Sequence, residues 1–195
     1  PMCEALRRRY GGKLRLHTPN GLHVRQIDEK CALMMKESGL ETIRLSLESI
    51  DPKLSQTSSG KVAREEYARA VKNLRASGYS RADCETYILL GLPNQSLDSV
   101  KETINFVGDA GGKAKLAEFS PIPGTKSFAE AVKKLPRLAE EPLLQNNSVY
   151  SSWISGEISP EALQELKDLA RATAAPKNGY GADREDLDEK ENNGN

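Results

Sequence analysis

The sequence has no surplus of charge of either sign. Its 28 lysines and arginines balance 28 aspartates and glutamates, which argues against a general electrostatic grip on nucleic acid or acidic lipid. It has no apolar run near the roughly 18 residues that a membrane span needs, and no secretory pattern opens it. Cysteine is scarce. Cys3, Cys31 and Cys84 are far apart and odd in number, so they match neither a disulfide framework nor a metal knuckle. The expectation is free thiols in a reducing, cytoplasmic compartment. His17 and His23 are too few and too badly spaced for a metal site, and Cys31, Met34 and Met35 fit a helix's apolar stripe better than a ligand set. No metal ligand is expected. The sequon Asn146-Asn147-Ser148 carries no weight without a secretory signal.

What is present is an ordinary globular composition, 37% hydrophobic and 29% charged over 195 residues, enough for one domain with a sizeable core. The chain opens Pro1-Met2-Cys3 with a helix-like run to Tyr10 already under way, and the expectation is a piece cut from a longer frame.

Strand and helix patterns then alternate. Leu14 to Thr18 alternates with period two and breaks at Pro19-Asn20-Gly21; a helix from about Asp28 to Ser38 ends at Gly39. A strand from Thr42 to Glu48 leads through a loop with Ser59-Gly60-Lys61 to a helix striped by Tyr67, Ala70, Val71 and Leu74, stopping at Gly78. A nearly apolar strand from Thr86 to Leu92 precedes a helix capped by Ser96, with Leu97, Val100, Ile104 and Val107 inward. A fourth strand, Lys115 to Ser120, breaks in Pro121-Ile122-Pro123-Gly124-Thr125 before a helix with Phe128, Ala131, Val132 and Leu135. Four strand-helix units with short connections make an α/β fold with a parallel sheet, either doubly wound or an arc of a TIM-like barrel. They are too few to close an eight-stranded barrel. Beyond it, Ser159-Pro160-Glu161 starts a helix, and from about Ala174 the chain has little to bury and reads as a disordered acidic tail. The divisions expected are 1–135 for the barrel part, 136–173 for a helical extension and 174–195 for the tail.

A parallel strand buried on both faces reads as continuously apolar. The strand ending at Glu48 departs from this: Ile43, Leu45 and Leu47 share one face, and Arg44, Ser46 and Glu48 the other. Arg15 and His17 behave alike on the first strand, as do Glu118 and Ser120 on the fourth, which points to a polar lumen. An antiparallel sheet with one wet face gives the same alternation, but the intervening helices make it the poorer account. Any one of these residues also fits a structural ion pair, such as Arg44 with Glu48 or Glu118. Ligands of such folds bind at the carboxyl ends of strands. Those ends carry Asn20-Gly21, Glu48-Ser49, Gly91-Leu92-Pro93 and Pro121 to Thr125, where glycine lets backbone amides approach a ligand. The same residues also mark plain turns. Lys61 fits a carboxylate or phosphate contact, though a solvated lysine at a helix start is commoner.

His17-Thr18-Pro19-Asn20-Gly21-Leu22-His23, Thr42 to Ser49, Leu89-Leu90-Gly91-Leu92-Pro93 and Phe119 to Thr125 together resemble the radical S-adenosylmethionine (SAM) superfamily. The likeness is greatest to its methylthiotransferase-like and cobalamin-domain-associated branch. It covers roughly Leu14 to Leu135 and corresponds to the later part of the barrel only. The resemblance implies a partial (β/α)6 barrel that binds SAM, with a [4Fe-4S] cluster held by a Cys-x3-Cys-x2-Cys motif. Electron transfer from the cluster cleaves SAM to a 5′-deoxyadenosyl radical. It also implies that Ser46 and Glu48, with Arg44, lie near the ribose or methionine part. Gly91, Leu92 and Pro93 would lie along the adenosine. Phe119 to Gly124, with Glu118, Ser120, Pro123 and Gly124, would back the adenine, and His17 and Asn20 would face the reacting centre. The sequence contains no three-cysteine motif, and Gly-Leu-Pro-Gly-Glu of many relatives reads Gly91-Leu92-Pro93-Asn94-Gln95, losing a charge and a flexible glycine. The expectation is therefore a radical SAM enzyme's fragment, inactive alone, whose partner is the missing N-terminal barrel half and whose substrate is unknown. The alternatives are a cluster-less half-barrel that binds a nucleotide, peptide or protein partner and, more distantly, a conventional α/β enzyme using Glu48 and His17 as acid and base.

Overall fold

The helices begin where a short polar side chain can take up a free N–H. Asp28 accepts from Cys31 N at 2.7 Å, and Ser96, Thr125 and Ser159 accept in the same way from Ser99, Phe128 and Ala162. These caps fix the starts of α2 (Glu29–Glu37), α4 (Leu97–Asp109), α5 (Lys126–Lys134) and α6 (Pro160–Ala172). The computed structural model describes residues 2–10, 13–51, 54, 64–147 and 158–175. Within them α1 is Met2–Tyr10 and α3 is Arg64–Ala76. The strands are β1 (Leu16–His17), β2 (Leu22–His23), β3 (Leu40–Glu48), β4 (Cys84–Leu90) and β5 (Lys113–Glu118). The loop with Lys61, Ser148 of the sequon and the tail beyond Ala175 lie outside the described residues.

Every strand pair is parallel, in the order β1-β3-β4-β5. The expected α/β architecture of four strand-helix units is present, with one refinement: the first strand is two short ones. β1 pairs with the start of β3 and β2 with its second half (Leu22 opposite Leu45), the Pro19-Asn20-Gly21 turn lying between them. Proline cannot donate to a ladder, so the strand breaks there, and Thr18 covers the gap. Its hydroxyl accepts from Arg44 N at 3.1 Å, while the Arg44 guanidinium donates to Pro19 O at 2.9 Å.

The core lies between the sheet and its helices. Ile43, Leu45 and Leu47 of β3 and Cys84, Ile88 and Leu90 of β4 are buried against Val71 and Leu74 of α3 and Ile104 and Val107 of α4. Two hydroxyls on this face satisfy each other, Tyr67 Oη and Thr86 Oγ1 being 2.6 Å apart. The same core takes in Leu166 and Ala170 of α6. That helix is fastened by Thr173, whose hydroxyl accepts from Ala114 N at 2.8 Å, and by Arg81, which donates to Gly108 O at 2.7 Å and Thr173 O at 3.2 Å. An arginine at two helix C-termini satisfies carbonyls that have no intrahelical partner.

Candidate functional site

At the carboxyl end of β3 the backbone leaves regular geometry. The pairing with β4 slips between Ser46 and Glu48, and Glu48 adopts φ 64°. Ser49 N donates to Leu47 O at 2.8 Å, closing a three-residue turn about Glu48. Positive φ at a non-glycine residue costs about 1–3 kcal/mol, and such strain collects at ligand sites. Ile50 N, donating to Thr103 Oγ1 of α4 at 3.4 Å, ties the far side of the turn down. Beside it, Gly21 lies against Ser46: a Cβ there would stand 2.9 Å from Ser46 Oγ. Glycine thus lets the β1–β2 turn rest on the strand.

The adjacent end of β4 turns at Gly91, φ 88°, and again at Asn94, φ 66°. Asparagine tolerates the left-handed region better than most residues, which suits Asn94 to this turn. Gln95 fills the turn. Its Oε1 accepts from Gly91 N at 2.9 Å and Leu92 N at 3.2 Å, and its Nε2 donates to Leu89 O at 2.8 Å. The Gly91 and Leu92 amides, expected to approach a ligand, are therefore engaged within the turn. Pro93 is buried, while Gly91 and Leu92 stay partly exposed.

At the end of β5, Ser120 is exposed and its hydroxyl donates to Gln145 O at 2.7 Å. Pro123 and Gly124 are exposed in the turn before α5. Glu118 is a correction. The register sets it opposite Leu90, which is buried in the core, so it does not share the face of Arg44. The strand runs from Lys113 rather than from Lys115, and Lys113, Lys115 and Ala117 are paired with Glu85, Tyr87 and Leu89 on the face away from the helices. On the first strand, His17 Nδ1 is 3.1 Å from Thr42 Oγ1, and Asn20 is exposed in the turn.

Arg44 pairs with Glu85, not with Glu48 or Glu118: Arg44 Nε is 3.7 Å from Glu85 Oε2. Lys113 and Lys115 reach the same carboxylate at 2.9 and 3.3 Å. Burial, the strongest single influence on Glu85, pushes its pKa up. The hydrogen bond from Lys113 and the charges of both lysines outweigh it and leave the carboxyl below its ordinary value. Glu85 lies just before the apolar run Thr86 to Leu92, so that run alone does not mark it as a member of this set. Starting two residues earlier, Glu85, Tyr87 and Leu89 fall on one face by simple alternation.

Ser46, Glu48, Gly91, Leu92 and Pro93 thus meet at neighbouring strand ends, and the β5 end adds Ser120 to Gly124. Cys31 and Cys84 are elsewhere. Cys84 is buried on the helix side, and burial pushes its thiol up to about 12; Cys31 sits on α2 with its Sγ 3.8 Å from Met35 Sδ. Among the described residues no three His, Cys, Asp or Glu side chains gather as a metal site, and no helix is long and apolar enough to cross a membrane.

Residues 2–107 match the family model of the radical SAM superfamily. A curated relative, tRNA-2-methylthio-N(6)-dimethylallyladenosine synthase of Oceanobacillus iheyensis, is 28% identical over 150 residues, 75% of this chain and 29% of its own length. Among solved structures, the radical SAM methyltransferase TsrM of Kitasatospora setae, bound to tryptophan and a SAM analogue, superposes with TM-score 0.56 at 18% identity, over 67% of this chain and 26% of its own. Coproporphyrinogen III oxidase of Escherichia coli, a radical SAM enzyme, gives TM-score 0.58 at 13% identity, over 88% of this chain and 36% of its own. The chain therefore spans less than a third of the curated relative it matches.

Proposed function

The chain belongs to the radical SAM superfamily, and on that premise we propose that the ends of β3, β4 and β5 form its part of a SAM site. The observation that carries this reading is the pair of left-handed turns, at Glu48 and at Gly91, on neighbouring parallel strands. Glu48 offers an acceptor-only carboxylate and Ser46 a hydroxyl, a set suited to ribose hydroxyls or to the ammonium of a methionine moiety. Arg44, lower on the same face as Ser46, supports it from below. The engaged amides of Gly91 and Leu92 leave apolar surface rather than free N–H groups, which suits the uncharged adenosine. Pro93 stiffens that turn, and Ser120, Pro123 and Gly124 back the adenine. His17 and Asn20 face the reacting centre from the β1–β2 turn.

SAM supplies, on one-electron reduction, the radical chemistry that gives the family its name. Cys31 and Cys84 do not fit the [4Fe-4S] cluster that delivers the electron, and the sequence holds no Cys-x3-Cys-x2-Cys motif. Cluster ligands are thiolates, whereas Cys84 is buried with its pKa raised and Cys31 is on a different element. We place the cluster's ligands on a barrel half that pairs with this chain, which by itself binds SAM without cleaving it. The same thiol chemistry favours the second reading, a cluster-less module that binds a nucleoside without catalysis.

The test is calorimetric titration of the chain with SAM, using ATP as the control. Saturable binding to SAM, weakened about tenfold or more by Glu48→Gln through loss of a charged hydrogen bond, supports the reading. Absence of SAM binding up to millimolar concentration sinks it. Anaerobic reconstitution with iron and sulfide then separates the two readings: a 4Fe-4S absorption spectrum on this chain alone would overturn the placement of the ligands.

A further inference from the structure

We propose that Arg44, Lys113 and Lys115 form an anion site on the face of the sheet away from the helices, suited to a carboxylate or phosphate group of a substrate lying beside SAM. The anion site stands on its own geometry; its role toward a substrate rests on reading the strand ends as a SAM site.

Three cations meet one carboxylate, that of Glu85, at 3.7, 2.9 and 3.3 Å, and among the described residues no second acid pairs with any of them. One negative charge leaves two of the three positive ones unanswered. The surplus is local and vanishes in the balanced charge of the whole chain. An ammonium has three donors, and Lys113 and Lys115 each give Glu85 one hydrogen bond. Donors therefore remain on both, and both side chains stay partly exposed, at 31% and 43%. Arg44 is more tightly placed. Its guanidinium donates to Pro19 O at 2.9 Å, but its Nε is shielded from solvent and has no hydrogen bond. A cation held with a donor unmet attracts an anion more strongly than the same group in water.

The site is also built in advance. Free lysines lose rotamer freedom when they grip a ligand, whereas here the shielded Glu85 already gathers the three heads. Lys113 and Lys115 are alternate residues of one strand, so they share a face about 6–7 Å apart. Register puts Lys115 opposite Tyr87 and Tyr87 opposite Ser46. The Lys115 ammonium lies 5.7 Å from the centre of the Tyr87 ring. The cluster thus begins level with Ser46 and extends to Arg44, Glu85 and Lys113, toward the amino ends of the strands. A molecule seated beside Ser46 would bring a charged group within reach of it.

The experiment titrates the chain, in dilute buffer, with inorganic phosphate and separately with malonate, reading the amide shifts of Tyr87 and Lys115. Saturation by either probe at millimolar concentration is expected, and the better probe tells phosphate from carboxylate. Lys113→Met and Lys115→Met should each bind it about tenfold more weakly, the loss of one hydrogen bond to a charged group. Lys101→Met is the control. Lys101 lies on α4, on the helix side of the sheet, 3.9 Å from Glu165, and its loss should leave affinity unchanged. Absence of saturation with both probes overturns the proposal. So does an equal loss in Lys101→Met, which would mean unspecific attraction to positive charge. SAM is then titrated into protein saturated with the probe. Undiminished SAM affinity supports a second ligand, whereas displacement would assign the cations to SAM's own carboxylate and overturn the proposal. If SAM does not bind at all, the SAM reading fails, while the shifts at Tyr87 still decide the anion site. If Lys113→Met does not fold, Lys115→Met, the more exposed of the two, carries the comparison.

Discussion

Glu85 and Lys113 stand opposite each other on β4 and β5, Lys113 Nζ donating to Glu85 Oε1 at 2.9 Å on the face of the sheet away from the helices. Arg44 and Lys115 approach the other carboxylate oxygen, so one acid draws together three cations from the two strands that flank β4. The carboxylate is well shielded, its side chain 13% exposed.

Glu85→Gln should therefore cost about 1–3 kcal/mol at pH 7, the range for hydrogen bonds to charged groups. The pH dependence follows from the lowered pKa of Glu85. Its contribution is fully present above the ordinary glutamate value of about 4.3 and is lost as pH falls through the lower folded value. Urea unfolding at a series of pH values should show the gap between the two proteins narrowing steadily as pH falls below about 4.3. A gap that stays constant as pH falls would place the cost in packing rather than in charge.

Gly21→Ala should loosen the β2–β3 edge. The new methyl would meet Ser46 Oγ at 2.9 Å and Ser46 N at 3.1 Å, and the backbone atom cannot swing aside. A loss of about 1–3 kcal/mol, as for overpacking, is expected, with faster amide exchange in β2 and the middle of β3. Unchanged exchange there would mean that the turn shifts freely away from the strand.

Asn94 should prefer replacement by glycine. Asn94→Gly keeps the left-handed turn and should leave stability within about 0.5 kcal/mol, whereas Asn94→Val, branched at Cβ and held at φ 66°, should cost about 1–3 kcal/mol. Thermal melts of the two variants distinguish the cases, and equal melting temperatures would show that the side chain, not the backbone angle, matters.

Cys84 should be inert in the folded protein. With its thiol pushed up to about 12 by burial, roughly one molecule in ten thousand carries the reactive thiolate at pH 8. Mass spectrometry after iodoacetamide treatment should find Cys84 unmodified in buffer and fully modified in urea. Rapid native labelling would expose a local opening of β4.

Much of the fold could be read one element at a time. Ser96 and Ser159 announce helix starts through their own short side chains, and each caps its helix here, as does Thr125, which reads in the sequence only as part of a turn. The strand-end turns were legible for a similar reason, since glycine and proline restrict or free the backbone locally. Legibility stopped where two strands had to be aligned. Glu118 reads as a lumen residue from the alternation of its own segment, but its face is set by pairing with Leu90. In Gln95 the sequence showed only a lost charge; that its amide closes a turn depends on three backbone groups brought together in space.

Periodicity, capping and motif residues act over a few neighbours, so the succession of strands and helices, their apolar faces and the place of the chain in its superfamily are legible along the chain. That Arg44 answers to Glu85, that Glu118 leaves the inner face and that Glu48 stands opposite Ile88 depends on how the strands meet in space. Register between strands causes this difference. A shift of one residue turns every side chain to the other face, and the slip between Ser46 and Glu48 arises from how β3 and β4 pair rather than from either strand alone.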